Sequence, residues 1–245
     1  MTAMSSAYSA SPAHGPHRPA ATPHATTEAK IAVIGAGLVG VGVAERLTAN
    51  APFLAPGRSI EDVLVDPCPP GPGRVWREEQ SPLMRMNSFA RDVTLFPGKA
   101  VRCEGPARPG PSLAAWARET AAGLLPPVDP RLEGDLRETT PDSFATRRLQ
   151  GAYLSWFLRE VARQAPPGVR VTTRTGRAVA LTAGPDGLQR VRLEHGSRLD
   201  ADAVVLALGH LDARPRGEEA DAASFAARHG LTYLPPGLVL QRCLS

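Results

Sequence analysis

The chain has 245 residues, 42% of them hydrophobic, and a formal net charge of +4, which suits one large or two small domains with a real core and excludes disorder throughout. The positive balance comes almost wholly from scattered arginines, Lys30 and Lys99 being the only lysines, so no basic block marks a nucleic-acid partner. Cys68, Cys103 and Cys243 form no CxxC pair and have no histidine at metal-ligand spacing, which gives no sign of a disulfide framework or a metal site and fits a reducing cytoplasm.

Residues 1–29 are rich in Ala, Ser, Thr, Pro and His, with neither the basic start nor the apolar run of a secretory signal. They predict a disordered tail, in which His14, His17 and His24 are solvated. The β-branched run 31–34 stops at Gly35 and reads as a buried parallel strand. Residues 39–49 then have helical periodicity, with Val39, Val43 and Leu47 on related faces. A loop is expected over 50–60, which holds two prolines and Gly57, and a second strand over 63–65 closes at Asp66. Together these form a βαβ unit. The longest apolar stretch, 31–44, is too short to span a bilayer and is broken by glycines, so no membrane partner is expected.

"PCPPGPGRVWREEQSPLMRMNSFARDVTLFPG" follows as a long Pro/Gly-punctuated connection. Its tryptophan, methionines and phenylalanines favour an ordered, functional loop over a disordered one. A helix is expected over 112–122 with Ser112 as N-cap, then a charged, Pro-broken linker to Pro141. The clearest long helix covers 145–164, with Leu149, Tyr153, Trp156, Phe157 and Val161 on an apolar stripe and Pro166-Pro167 ending it. Arg147 and Arg148 stand at its start, where cations oppose the macrodipole. That hints at a nearby anion, with a solvated helix end as the plainer account. From Val169 the period becomes two: 169–173, 178–182 and 188–194 alternate, with Asp186-Gly187 and His195-Gly196 as turns, predicting a small antiparallel meander. Residues 203–208 are again an apolar strand, ending in Gly209. No internal repeat is present.

The run "IGAGLVG" has the spacing of a dinucleotide fingerprint, with a strand before it and a helix after it. Gly35 would make the tight turn, Gly37 would let backbone approach a pyrophosphate, and Gly40 would let helix and strand pack closely. The exposed amides at the helix N-terminus would then meet the phosphate charge, and Gly35, Ala36, Gly37, Leu38, Val39 and Gly40 are the candidate cofactor-binding residues. Asp66 is the candidate for the ribose hydroxyls, although it lies farther beyond Gly40 than the usual roughly 20 residues. Its plainer role is to start the turn before Pro67. Glu61 and Asp62 compete as carboxylates but precede the apolar core of the strand.

Four later stretches stand in a telling order: "VDPCPPGPGRVW", "LMRMNSFARDVTLFPG", "RRLQGAYLSW" and "VVLALGH". With the fingerprint they resemble the FAD/NAD(P)-binding flavoprotein superfamily of glutathione-reductase-like fold, and within it a bacterial FAD/NAD(P)-binding subfamily, over roughly residues 31–214. The resemblance implies an α/β fold: a three-layer FAD/NAD(P)-binding Rossmann-like domain with a parallel sheet plus an antiparallel β-meander. It implies FAD as cofactor and NAD(P)H as reductant. It further implies that Trp76, Met86 and Asn87 lie toward the isoalloxazine, Val179 toward adenine, and Ala207 and Gly209 close to the cofactor. Tyr153 and Trp156 read as core, and His210 as structural; no acid or base can be named.

The implied layout is a tail over 1–29, an FAD-binding domain over 30–214 and a short segment over 215–245. "LTYLPPGLVLQRCLS" begins like the subfamily's continuation and then loses the pattern, so a C-terminal truncation is expected, with the substrate half in a missing domain or a partner chain. The implied activity is that of an NAD(P)H-linked flavoprotein oxidoreductase, monooxygenase-like chemistry included, on a small-molecule substrate the sequence does not name. The alternatives are a non-catalytic or partner-dependent FAD-binding fragment, and an NAD-dependent dehydrogenase.

Overall fold

A computed structural model describes residues 28–98, 102–210 and 216–233. Its centre is a four-stranded parallel sheet in the order β3-β2-β1-β7, built from β1 (Glu28–Ile34), β2 (Ser59–Asp66), β3 (Val169–Thr175) and β7 (Ala203–Leu206). The two faces of the central strands bury different partners, as alternation requires. Val33 and Leu64 join a core with α1 (Leu38–Leu54), α2 (Leu113–Ala121) and α4 (Arg147–Arg163). Ala32, Ile34, Val63 and Val65 instead meet Val191, Leu193, Leu199 and Ala201 of a second sheet. That sheet is antiparallel, in the order β4-β5-β6, from β4 (Ala178–Ala183), β5 (Gln189–Leu193) and β6 (Arg198–Ala201). Helices, parallel sheet and antiparallel sheet make the three layers expected from the sequence.

Local chemistry accounts for the helix starts. Ser112 caps α2, its hydroxyl accepting the Ala115 amide at 3.3 Å, and Thr146 caps α4 by accepting the Leu149 amide at 3.3 Å. α4 carries the largest aromatic group of the core: Tyr153 and Trp156 lie 5.5 and 6.2 Å from Trp116, and Phe157 meets Phe96 edge-on at 4.9 Å. Tyr153 also donates to the Pro111 carbonyl at 2.7 Å. These helical aromatics are core, as expected.

Several expectations are corrected. The strand at 169–173 is not part of the meander; as β3 it pairs in parallel with β2, from Ile60↔Val169 to Asp66↔Thr175. A half-buried edge strand alternates just as a meander strand does, so period two could not separate them. The third meander strand is the four-residue β6, too short to show a pattern. α1 runs on to Leu54 through Pro52, in place of the loop expected from Asn50, since a proline in the last turn removes only one helical bond. The linker before Pro141 contains a 3-10 turn (Pro130–Leu132) and the short helix α3 (Glu133–Glu138). Glu28 and Ala29 belong to β1 and not to the tail, and the expected terminal segment contains α5 (Glu218–Arg228). The tail histidines and Cys243 lie outside the described residues. No helix among the described residues is long and apolar enough to cross a membrane.

Candidate dinucleotide site

The fingerprint turn connects β1 to α1 and is bonded to the end of β2, the Gly35 amide donating to the Val65 carbonyl at 2.8 Å. Gly35 has φ of 102°, and a Cβ there would stand 2.2 Å from the Ala207 carbonyl oxygen, so the close approach of β7 requires glycine. A Cβ at Gly40 would stand 1.9 Å from the Gly35 carbonyl oxygen, which is the tight helix-strand contact the sequence predicts. Gly37 differs: it is the N-cap of α1 and has no side-chain cap bond. The nearest protein atom to its Cβ position is the Gly73 Cα, 4.0 Å away. Leu38 and Val39, next along the helix, are exposed. The protein therefore tolerates a methyl group at Gly37, and the first amides of a 17-residue helix are left open.

Asp66 fastens this turn. Its Oδ2 accepts the Ala36 amide at 2.8 Å and its Oδ1 accepts the Cys68 amide at 2.7 Å. The ribose candidate thus also fills the turn-starting role, and each oxygen keeps a second lone pair. Burial, with the Asp66 carboxylate beside it, pushes the Cys68 thiol up. Beyond Cys68 the Pro/Gly loop folds back over the fingerprint, where the Gly71 amide donates to the Ala36 carbonyl at 2.7 Å. Gly73, with φ of 58°, brings its Cβ position to 3.0 Å from the Gly37 Cα. Gly71 and Gly73 are site residues the sequence reading missed, although "PPGPG" carried the signal.

The same loop lies along α4. A Cβ at Gly151 would stand 1.9 Å from the Trp76 carbonyl oxygen, and Ser155 donates to Glu78 at 3.0 Å. The Arg147 guanidinium lies over the Trp76 ring at 5.4 Å. Met86 donates its amide to the Ala145 carbonyl at 2.9 Å, and Arg147 donates its own to Met84 at 2.8 Å. The structure thereby brings Trp76, Met86 and the exposed Asn87 to the start of α4, with Arg147 among them.

Ala207 is buried beside the fingerprint, its amide donating to Ile34 at 2.8 Å. Gly209 has φ of 62° and open space around it, so backbone conformation accounts for glycine there. Arg74 Nη2 donates to the His210 carbonyl at 2.5 Å, linking the Pro/Gly loop to the end of β7. Val179 is exposed on β4; the turn before it starts beside Asp66, where the Gly176 amide donates to the Asp66 carbonyl at 3.0 Å.

The arrangement suits a phosphate-bearing ligand: an open helix N-terminus, two facing glycines and a carboxylate at the end of the neighbouring strand. The profile of the FAD-NAD(P)-binding family matches residues 32–211. Nitrosuccinic acid synthase of Aspergillus oryzae is 42% identical over 218 residues, covering 88% of this chain and 31% of that protein. The L-aspartate N-monooxygenase (nitrosuccinate-forming) of Streptomyces davaonensis is 42% identical over 220 residues, covering 86% of this chain and 34% of that protein. This chain spans about a third of the length of these relatives. Among solved structures, a flavin-containing monooxygenase from Stenotrophomonas maltophilia is 19% identical with a TM-score of 0.43, covering 74% of this chain and 38% of that one.

Proposed function

The chain belongs to the FAD-NAD(P)-binding family, and from that premise we propose that residues 30–214 hold the FAD of an NAD(P)H-linked flavoprotein monooxygenase that oxygenates the amino nitrogen of L-aspartate. The observation that carries the FAD placement is the open N-terminal end of α1, where Gly37 has no side-chain cap bond and its backbone carries no Cβ to keep a phosphate away. The amides of Leu38, Val39 and Gly40 would meet the pyrophosphate, Asp66 the adenosine ribose, and the end of β7 the extended cofactor. Trp76, Met86 and Asn87 would border its redox end. When bound, FAD supplies hydride acceptance from NAD(P)H and activation of dioxygen; this chain's residues bind and orient it. The substrate follows the names of the two relatives at 42% identity.

Because the chain spans 31% and 34% of those relatives, a second reading stands beside the first. In it, the chain is an FAD-binding unit whose nicotinamide and substrate surfaces come from a further domain or a partner chain. Both are set in the cytoplasm. The deciding experiment is to add FAD to the purified chain, remove unbound flavin, and record the visible spectrum before and after NADPH, with and without L-aspartate. Retained flavin bands support the FAD placement; a colourless protein that binds NAD instead overturns it. Aspartate-dependent NADPH consumption supports the monooxygenase, and retained flavin without turnover supports the partner-dependent unit.

A further inference from the structure

Two neighbouring arginines open α4 and meet different fates. Arg148 gives Nε and Nη2 to the Asp135 carboxylate at 2.6 and 2.9 Å, and the Thr146 hydroxyl donates to the same carboxylate at 2.6 Å. Asp135 is buried, so this is a resident counter-ion. Arg147 has no such partner: among the described residues its guanidinium makes no hydrogen bond and no ion pair, and its side chain rests on the Trp76 ring. A ring face offers no hydrogen-bond acceptor of useful strength, so the five N–H donors remain unsatisfied by protein. A half-buried cation at the start of a 17-residue helix, opposed to the helix dipole, is an arrangement that an anion would stabilise.

The surroundings fix what kind of anion has access. The Pro/Gly loop runs from Gly73, opposite Gly37, to Trp76 beneath Arg147. Arg147 therefore stands along this loop from the open end of α1 toward the proposed redox end, where its backbone is bonded to Met84 and that of Ala145 to Met86. One helical turn on, Gln150 is wholly buried and neither atom of its amide has a partner. Positions three apart share a side of a helix, so this end of α4 carries two unsatisfied polar groups on one side. The helix end itself is already occupied, since Thr146 caps it. The anion-seeking group is the guanidinium.

We propose that Arg147, held over Trp76, receives a carboxylate of the amino-acid substrate and sets the preference for an acidic substrate. This rests on the substrate reading given above. A guanidinium fork meets a carboxylate through two parallel N–H···O bonds, a geometry that lysine cannot reproduce. The carbonyl edge of a flavin offers similar acceptors, and the test separates the two sources.

The full chain is titrated with FAD, and the FAD-loaded chain is then titrated with L-aspartate, succinate and L-alanine, followed by flavin absorbance and tryptophan fluorescence. Wild type, Arg147→Lys and Arg147→Gln are compared, with thermal melting by circular dichroism to establish that each variant folds. Saturable binding of L-aspartate and succinate is expected in wild type, weaker by about 10- to 100-fold in Arg147→Gln and partly restored in Arg147→Lys. FAD affinity should agree within about twofold across the three proteins. Equal dicarboxylate affinity in folded Arg147→Gln overturns the proposal. So does a loss of FAD affinity in that variant, which would assign the guanidinium to the flavin, and so does an FAD-loaded wild type that binds neither dicarboxylate. A wild type that takes up no FAD overturns the cofactor placement instead, and the dicarboxylate titration of the flavin-free chain then decides the role of Arg147.

Discussion

Asp66 Oδ2 accepts the backbone amide of Ala36 at 2.8 Å, joining the end of β2 to the middle of the fingerprint turn. With Oδ1 on the Cys68 amide at 2.7 Å, one carboxylate organises both loops of the cofactor crevice. Removing it should therefore cost structure and binding together. Asp66→Ala is expected to lose about 3 kcal/mol of stability or more, since it removes two hydrogen bonds to a charged group, each contributing roughly 1.5–3 kcal/mol. Asp66→Asn, which keeps one accepting oxygen, should fall between. Urea unfolding gives the stability series, and FAD titration should follow the same order.

Asp62 predicts an unusual pH response. It lies in the middle of β2, fully buried, and neither oxygen has a hydrogen-bond partner. Burial pushes its carboxyl up to about 7. A carboxyl held above its unfolded value binds its proton more tightly in the folded chain. Its effect on stability is therefore least unfavourable below about pH 4, worsens as pH rises toward 7, and is constant above that. The full cost is on the order of 4 kcal/mol. Asp62→Asn should be more stable than wild type at pH 8, and the gap should close toward pH 5 when both are unfolded with urea. A gap independent of pH would mean that Asp62 does not titrate in this window.

Of these two carboxylates, Asp66 shows where sequence was a sufficient guide, whereas Asp62, expected to precede the strand, lies buried within β2. Asp66 ends a strand beside a fingerprint whose glycine spacing is local chemistry, so strand, turn, helix and acidic residue could be read in order. The Ser112 cap was legible for the same reason. β3 was not, because alternation along one strand does not say which strand lies beside it. Gly73 was missed as the partner of Gly37 because that approach is made by the folded loop and not by spacing. The separate fates of Arg147 and Arg148 depend on Asp135, which sits in a six-residue helix too short to announce itself.

Asp135 should behave in the opposite sense to Asp62. Burial alone would push its carboxyl up, but the bonds from Arg148 and Thr146 outweigh burial and hold it below the ordinary carboxylate value. A lowered carboxyl gives stability that is present above about pH 4 and lost as pH falls through its folded value. Asp135→Asn leaves Arg148 partly buried without its counter-charge, for which about 3 kcal/mol is expected at pH 7. The difference from wild type should shrink in acid, below the folded value of the carboxyl. Denaturant midpoints at pH 7 and pH 3 measure both parts of the expectation.

A pair of glycine substitutions separates packing from ligand binding. At Gly151 a Cβ would lie 1.9 Å from the Trp76 carbonyl oxygen, so even alanine must push the Pro/Gly loop off α4. Gly151→Ala should lower stability by about 3 kcal/mol, within the upper range for overpacking a close contact. At Gly37 the nearest atom to a Cβ is 4.0 Å away and the backbone, with φ of −79°, is open to any residue. Gly37→Ala should therefore melt within about 0.5 kcal/mol of wild type, as uncrowded substitutions do. If a pyrophosphate sits at the open end of α1 against Gly37, the same methyl group should weaken FAD at least about 10-fold, because it stands where the phosphate must approach the backbone. Melting curves and FAD titrations of the two variants complete the test. A Gly37→Ala chain that keeps both its fold and its FAD affinity would remove the pyrophosphate from this end of α1.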